Sequence, residues 1–247
     1  MSKAGARGRL YVTQRIWVPE KPLARLNLKI ADALRKRMPP LPVQGEAALS
    51  RFPVLRELQD NHDAIRQELL TVLQVKKDIP ELKYVHPRDN RISSPEWRTY
   101  VMKLWGYDVP VNGARCPRTV EVCARVPGVH TVLFSILDPH STIPRHRGWA
   151  TGVVRLHYPL IAPREWHRCR IEIENVAYSW REREPLLFDD TYAHSVDKDT
   201  DELRAVLIVD FEPGMSLLLD AFMKLRYVLV RRSEEIRTIC DRAAVSA

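Results

Sequence analysis

The pattern of apolar and polar positions divides the chain into a helical first part, a strand-rich middle and a helical end. Residues 9–18 alternate between polar and apolar positions, which predicts a strand. Apolar residues then recur at three- and four-residue steps over 23–38 and less evenly over 53–75, which predicts two helices. The prolines at 39–42 separate these helices, because proline cannot continue a helix interior.

From Trp97 onward the chain changes to short apolar runs that are punctuated by Pro, Gly, Asp and Asn. This spacing is typical of an antiparallel sandwich or barrel and predicts seven or eight strands. A short helix is expected between them at 119–125, and helical periodicity returns after Gly214. The strand-like runs are 97–105, 129–137, 150–161, 168–179, 185–188, 192–196 and 203–211. The apolar residues expected to share the face of the last helix are Leu218, Phe222, Leu225, Leu229 and Ile236.

The order of helices, strands and a final helix predicts a mainly β fold, a jelly-roll-type barrel braced by N-terminal and C-terminal helices. Ligand sites commonly lie in the mouth of such a barrel. We expect one domain over 1–247, with an N-terminal extension of one strand and one helix at 1–50. The barrel core is expected at 51–213 and the C-terminal helix at 214–247.

Composition excludes several classes of protein. The chain has 247 residues, of which 45% are hydrophobic and 28% charged, so disorder, collagen and coiled coil are excluded as descriptions of the whole chain. The longest uncharged run, 126–137, is far short of a membrane span, and no apolar run follows the N-terminus as in a secretory signal. Four cysteines without a C-x-x-C pair predict free thiols, and we expect a cytoplasmic protein.

The net charge of +8 is concentrated at one end. Residues 1–50 carry ten basic and three acidic side chains, a net charge of +7, so the rest of the chain is nearly neutral. Nucleic-acid binding is not expected, because neither a motif nor interleaved aromatic residues accompany this charge. The segment is either a solvated basic face or a docking surface for an acidic partner or a membrane face.

Polar residues inside strand-like runs are the candidates for a site. Arg155 and His157 alternate within one run and should face the same way, and Arg204 opens a very apolar run. A cation that faces inward carries a large desolvation cost unless it is paired. The barrel therefore requires an anionic partner, which could be the pair Asp189 and Asp190 or a ligand with carboxylates. Further candidates of the same kind are Ser135, His146 and His194.

Two of these candidates could bind a metal. His146 and His194 lie 48 residues apart on separate expected elements, and imidazole suits Fe, Zn, Cu and Ni alike. A purely structural histidine pair is the alternative.

The sequence also resembles a known family. The stretches 128–161 and 187–213 resemble the aspartyl/asparaginyl β-hydroxylase domain family, as do shorter pieces at 52–58 and 112–119. The second stretch contains a Phe-Asp-Asp segment, a His four residues after the second Asp, and an Arg ten residues after that His. All three features recur in the family, and the resemblance covers about 50–213.

The resemblance implies an Fe(II)- and 2-oxoglutarate-dependent oxygenase that uses O2 and is built on a cupin-like double-stranded β-helix. Such an enzyme converts 2-oxoglutarate to succinate while it hydroxylates an unactivated C–H bond. The positions that match those of the family are His146 and His194 for iron, Arg204 for the distal carboxylate of 2-oxoglutarate, and Ser135, Arg155 and His157 for further cosubstrate contacts.

Gly148 stands where oxygenases of this chemistry usually carry a third, carboxylate ligand, and the resembled family shares that gap. The gap leaves room for water or an anion. Asp189 and Asp190 are candidates for orienting His194 or such a water, or for a structural ion pair. Trp149 is expected either to narrow the mouth or to pack against the barrel.

The identity of the substrate is open. Val153 replaces an arginine with which family members grip a substrate carboxylate, and this argues against an Asp side chain. The substrate is then an amino acid, a peptide or a carrier-bound small molecule, with an acyl-chain hydroxylase and a halogenase as alternatives. A non-catalytic cupin-like binding module and a zinc-dependent site complete the alternatives.

Overall fold

The computed structural model describes residues 22–35, 40–81, 96–148, 151–214 and 231–245, with isolated positions between 220 and 228. The strand expected at 9–18 and Trp149 lie outside these residues. The α-helices are Pro22–Leu34, Glu46–Arg51, Arg56–Asp60, His62–Gln74, Pro110–Arg115, Pro117–Ala124 and Glu234–Ala243. Short 3-10 turns lie at Pro53–Leu55, Lys76–Asp78 and Trp166–Arg168.

The described residues form eleven strands in two antiparallel sheets. They are β1 (Val43–Gln44), β2 (Trp97–Leu104), β3 (Tyr107–Asp108), β4 (Val129–Leu137), β5 (Thr142–His146), β6 (Val154–Ile161), β7 (Cys169–Ile173), β8 (Val176–Ser179), β9 (Leu186–Phe188), β10 (His194–Lys198) and β11 (Arg204–Phe211). The large sheet has the order β1-β9-β6-β11-β4-β2-β3, and the small sheet has the order β5-β10-β7-β8. The predicted mainly β architecture of antiparallel strands with helices at both ends is confirmed.

Alternation along the strands separates two cores. On β11, Leu207 and Val209 face outward into a core that the large sheet shares with the helices after residue 45. Val206 and Ile208 face inward into a second core between the sheets. The inward face of the large sheet therefore meets the small sheet, and most polar side chains on that face are buried between the two.

Some elements differ from the sequence-based expectation. The helix expected over 53–75 is interrupted at Asn61, whose side-chain Nδ2 donates to the backbone oxygen of Glu57 at 2.7 Å and competes with the helical pattern. The run 168–179 is a hairpin, because Glu174 and Asn175 both adopt positive φ and turn the chain between β7 and β8.

Strand β5 was missed because Pro144 makes its sequence resemble a turn. The strand lies at the edge of the small sheet, where a residue without an N–H is tolerated. The helix Pro110–Arg115 was also missed.

The end of the chain does not form the single amphipathic helix that periodicity suggested. Described positions between 220 and 231 are helical, and a new helix begins after Ser233, whose hydroxyl accepts from the N–H of Ile236 at 3.4 Å. Leu225 is 60% exposed whereas Ile236 is buried, so the two do not share a buried face. Leu218, Phe222 and Leu229 lie outside the described residues.

The expected free thiols are confirmed, since Cys116, Cys123, Cys169 and Cys240 are all unbonded and buried. Burial raises the pKa of three of them, Cys116, Cys123 and Cys240, to about 12. In the part of the chain that the structure describes, no helix has the length and apolar character to cross a bilayer.

Candidate functional site

The small sheet brings the two candidate metal ligands together. His146 ends β5, His194 begins β10, and the two residues are direct partners in the antiparallel register. Their ring centroids lie 4.1 Å apart, and both side chains are buried between the sheets. Strand pairing thus brings together two residues that lie 48 positions apart in the sequence.

The same local hydrogen bond orients both rings. Nδ1 of His146 contacts the backbone oxygen of Pro144 at 2.8 Å, and Nδ1 of His194 contacts that of Tyr192 at the same distance. A carbonyl oxygen only accepts, so each ring carries its proton on Nδ1 and keeps a lone pair on Nε2. Burial lowers the pKa of His146 to about 3 and that of His194 to about 4. Both rings are therefore neutral at pH 7, the form in which imidazole binds a metal.

The large sheet supplies the other candidates. Ser135 lies on β4, Arg155 and His157 on β6, and Arg204 on β11, all at positions that face the small sheet. The structure thus collects every predicted site residue between the two sheets, with the histidine pair on one side and the predicted cosubstrate residues on the other.

Arg204 is a buried cation whose charge is not matched. It is 1% exposed, and its Nη1 reaches the backbone oxygen and the hydroxyl of Ser135, both at 3.3 Å. Its Nε has no hydrogen-bond partner, and none of the carboxylates in the described ranges pairs with it. Burial lowers the pKa of Arg204 to about 10, which still leaves the guanidinium charged at neutral pH. A buried cation of this kind requires an anion from outside the described chain.

His157 is enclosed by aromatic rings. Its Nδ1 lies 3.3 Å from Nε1 of Trp180, and its ring stacks on that indole with a centroid distance of 6.0 Å. Phe188 meets the same ring edge-on at 5.0 Å. Burial, followed by the nearby charge of Arg204, keeps the pKa of His157 well below its usual value, so this histidine is also neutral.

Arg155 differs from Arg204 because its charge is matched within the protein. Its Nε and Nη2 donate to the two carboxylate oxygens of Asp210, each at 2.8 Å, and its Nη1 forms an ion pair with Asp190. From the sequence, Arg155 is a second inward cation whose anionic partner is either the pair Asp189 and Asp190 or a ligand with carboxylates, and the structure pairs it with Asp190 and Asp210. Its cosubstrate contact stays a prediction, since two carboxylates of the chain already hold its guanidinium.

The acidic pair before His194 has two roles. Asp190 forms the ion pair with Arg155, lies 3.9 Å from Nε2 of His194, and accepts from the backbone N–H of Gly148 at 2.9 Å through its own backbone oxygen. Asp189 instead shapes the turn, because its Oδ1 accepts from both the N–H and the hydroxyl of Thr191. The ion-pair role considered for the pair therefore falls to Asp190, whereas the orienting of His194 or of a bound water stays a prediction, because the ring of His194 is held through Nδ1 by the backbone oxygen of Tyr192.

The N-terminal helix docks beside the histidines, although the sequence resemblance began only after it. Asp32 pairs with Arg147, the residue after His146, at 2.7 Å. The guanidinium of Arg35 lies 4.2 Å from the ring centroid of Tyr192. The basic first segment therefore contacts both chain segments that carry the candidate metal ligands.

Three further residues of the site escaped sequence reasoning. Asp210 could have been found, because it is an acid at an alternate position of the same apolar run that revealed Arg204. Trp97 and Trp180 carry no such local signal, and only the packing shows that they contact Ser135 and His157. Across the described ranges, no group of three or more His, Cys, Asp or Glu side chains is arranged to hold a metal ion.

Comparison with known proteins agrees with this geometry. Residues 59–213 match the model of the family described as Aspartyl/Asparaginyl beta-hydroxylase. An ornithine lipid ester-linked acyl 2-hydroxylase from Rhizobium tropici is 32% identical over 212 residues, which cover 85% of this chain and 71% of that protein. The aspartyl/asparaginyl beta-hydroxylase of Homo sapiens is 25% identical over 162 residues, which cover 64% of this chain and 21% of that protein.

Among solved structures, a Cupin 2 conserved barrel domain protein from Salinispora arenicola covers 53% of this chain and 86% of its own, with 11% identity and a TM-score of 0.33. The family match spans more than half of the chain and includes every candidate site residue. This chain therefore belongs to the aspartyl/asparaginyl β-hydroxylase family.

Proposed function

We propose that this protein is an Fe(II)- and 2-oxoglutarate-dependent hydroxylase. The observation that carries the proposal is Arg204, a fully buried guanidinium that has an unpartnered Nε and lies on the inner face of the large sheet, opposite the small sheet that carries the histidine pair. A carboxylate is the anion that a planar guanidinium recognises best. A dicarboxylate can place one end at Arg204 and present the other toward the histidines.

The residues fit the metal as well as the cosubstrate. Two neutral imidazoles on paired strands, each with its Nε2 lone pair available, form a donor set that suits a divalent transition metal. The chemistry that a bound iron would supply is the activation of O2, in which 2-oxoglutarate is oxidised to succinate and a substrate C–H bond is hydroxylated. His146 and His194 would hold that iron.

The protein itself would bind and orient the cosubstrate and would exclude water from the site. Arg204 and Ser135 would bind the distal carboxylate of the cosubstrate, and His157 offers a further ring nitrogen on the same face of the sheet. All of these side chains are buried between the sheets, so the charges act in a medium of low dielectric constant. An electrostatic contact there is worth more than the same contact in water.

Succinate formation in the presence of Fe(II), O2 and 2-oxoglutarate tests the proposal. His146→Ala and His194→Ala should abolish it, because each removes half of the donor set. The matched control is His167→Ala, which removes an exposed histidine. Full activity in His194→Ala would refute the site assignment. Absence of both iron binding and 2-oxoglutarate turnover in the wild type would favour a non-catalytic binding module, and activity with zinc alone would favour a zinc site.

The proposed binding of 2-oxoglutarate by Arg204 has its own test. Arg204→Ala should raise the KM for 2-oxoglutarate by about tenfold or more, since it removes a charge-assisted hydrogen bond. Arg164→Ala is the matched control, because the Arg164 side chain is 94% exposed. Equal KM values for 2-oxoglutarate in Arg204→Ala and Arg164→Ala would show that Arg204 does not bind the cosubstrate.

We further propose an acyl chain as the substrate. Val153 is fully buried in an apolar cluster with Ile236 and Ile239 of the C-terminal helix, so this position offers no cation to a substrate carboxylate. The Rhizobium tropici relative is named for an acyl 2-hydroxylation, which supports the same class. Product analysis should show an acyl lipid or acyl thioester that gains one oxygen atom, whereas an Asp-containing peptide stays unchanged. Incorporation of chloride in place of oxygen would identify a halogenase.

The charge of the basic N-terminal segment favours an acidic partner in this reaction. Residues 1–50 carry a net charge of +7, and the described helix Pro22–Leu34 with Arg35 lies beside the histidine segments through the contacts of Asp32 and Arg35. An acidic partner bound there would be held close to the site. Turnover of the carrier-bound or lipid substrate should therefore fall as the salt concentration rises, whereas turnover of a short neutral acyl substrate should not.

A further inference from the structure

The largest fully buried side chain in the described residues, Trp180, contacts two candidate cosubstrate residues at once. The guanidinium carbon of Arg204 lies 4.5 Å from the centroid of the indole, and Nε1 of the same indole lies 3.3 Å from Nδ1 of His157. Trp180 follows β8 of the small sheet, whereas Arg204 and His157 lie on β11 and β6 of the large sheet. One side chain thus couples two residues that different strands contribute.

The contact with His157 decides where that ring carries its proton. An indole N–H can only donate, so Nδ1 of His157 must accept and the proton of the neutral ring lies on Nε2. His157 is thereby a hydrogen-bond donor through Nε2. The opposite tautomer would bring two N–H groups face to face in a dry interior.

A second indole acts on Ser135 in the same way. Nε1 of Trp97 donates to Oγ of Ser135 at 3.0 Å, and Nη1 of Arg204 approaches the same oxygen at 3.3 Å. With both lone pairs of the hydroxyl engaged, its hydrogen is left to donate. The two indoles therefore leave both Ser135 and His157 with a hydrogen to donate.

The face of Trp180 also has an electrostatic role. Arg204 has no carboxylate partner in the described part of the chain, and an aromatic face attracts a cation most strongly where water is absent. The indole holds the guanidinium in place until an anion binds, without neutralising it. A carboxylate from the protein at this position would compete with the ligand.

We propose that Trp180, assisted by Trp97, is a positioning residue that leaves His157 and Ser135 as hydrogen-bond donors beside the guanidinium of Arg204, so that the site selects a doubly deprotonated dicarboxylate. The proposal rests on the proposed function, because it takes 2-oxoglutarate as the ligand. It adds the physical reason why the site would select a dicarboxylate. On the large sheet, Ser135, His157 and Arg204 offer hydrogens only, and Arg204 is a cation that no carboxylate of the described residues neutralises.

Binding measurements on the full chain test this proposal without turnover. Affinities for 2-oxoglutarate and for 2-oxopentanoate, which lacks the distal carboxylate, are measured with Fe(II) under anaerobic conditions. Trp180→Phe keeps an aromatic face but loses the N–H, and Trp180→Leu loses both. Trp97→Phe removes only the donor to Ser135. The control is Trp166→Phe, since Trp166 is an exposed indole that lies 4.0 Å from the guanidinium carbon of Arg181.

We expect the affinity for 2-oxoglutarate to fall about fivefold in Trp180→Phe and in Trp97→Phe, as for the loss of one oriented hydrogen bond. In Trp180→Leu the loss should reach about fiftyfold, and it should be greater for 2-oxoglutarate than for 2-oxopentanoate because Arg204 is no longer held. Trp166→Phe should bind both acids like the wild type. An unchanged preference between the two acids in Trp180→Leu would show a packing role only and would overturn the proposal.

The tautomer of His157 provides a readout that needs no ligand. Nitrogen-15 NMR of the wild type should show His157 protonated at Nε2, with the signal assigned through His157→Asn, and Trp180→Phe should shift the population toward Nδ1. Protonation at Nδ1 in the wild type would overturn the proposal even if 2-oxoglutarate binds. A wild type that has the expected tautomer but binds neither acid would overturn the proposed function, and the selectivity with it.

Discussion

The carboxylate of Asp190 occupies the space in which a side chain on residue 148 would begin. A Cβ placed on Gly148 would lie 1.8 Å from Oδ2 and 2.2 Å from Cγ of Asp190. The absence of a side chain at residue 148 is therefore a packing requirement of this fold. The carboxylate that lies at this position comes from Asp190, on a chain segment that is distant in the sequence.

Gly148→Ala should be poorly tolerated. The methyl group displaces Asp190 and breaks its ion pair with Arg155, so we expect a loss of about 1–3 kcal/mol in the free energy of unfolding and weaker Fe(II) binding. Urea denaturation and metal titration measure the two effects. Gly113→Ala is the control, since a Cβ there would meet Val120 at an ordinary 3.7 Å. Equal stability of the two variants would contradict this account.

Asp210→Asn tests the ion pair on the inner face of the large sheet. The Asp210 side chain is 3% exposed and accepts two hydrogen bonds from Arg155, so removing its charge leaves the partly buried guanidinium with Asp190 as its remaining carboxylate partner. We expect a loss of about 3 kcal/mol in the free energy of unfolding. Glu121→Gln, which breaks exposed ion pairs on the helix Pro117–Ala124, should leave the denaturation midpoint nearly unchanged.

Arg204→Met should separate stability from function. An apolar side chain of similar length removes an unmatched buried cation, so the ligand-free protein should gain about 1–3 kcal/mol, which corresponds to a rise in Tm of roughly 3–10 °C. Addition of 2-oxoglutarate should no longer raise the Tm. Thermal denaturation with and without 2-oxoglutarate measures both, with Arg164→Met as the exposed control. A destabilised Arg204→Met protein would mean that the charge is matched in the absence of ligand.

His130 should make the protein sensitive to acid. Burial lowers its pKa to about 4, so between pH 6.5 and 4 the unfolded chain binds a proton that the folded chain does not. Stability therefore falls as the pH falls through this window, by on the order of 3 kcal/mol for this one group. Urea denaturation at several pH values should show a shallower fall in His130→Gln.

The control variant for this prediction, His140→Gln, should change the pH dependence of stability in the opposite direction. Hydrogen bonds to Asp201 and Asp199 raise the pKa of His140, so its contribution is present in acid and is lost as the pH rises through the folded-state pKa. His140→Gln should therefore make the loss of stability in acid larger. A change in the same direction in both variants would show that neither histidine acts through its own titration.

Much of the fold could be read from local patterns. Short apolar runs bounded by Pro, Gly, Asp and Asn predicted the strands β2, β4, β6 and β11, because a strand with one face toward each core is apolar on both faces. Prediction was weaker where a single backbone feature decides the element. The edge position of Pro144 and the positive φ of Glu174 and Asn175 are properties of the folded chain.

The sequence by itself identified most of the polar residues of the candidate site, because polar side chains inside apolar strands are conspicuous and because the family pattern places His146 and His194. Only the tertiary structure decided how these residues differ. Arg155 and Arg204 are both inward-facing arginines in apolar strands, yet one is matched by carboxylates and the other stacks on an indole. Strand pairing brings those partners from distant parts of the chain, and local periodicity carries no information about which strands pair.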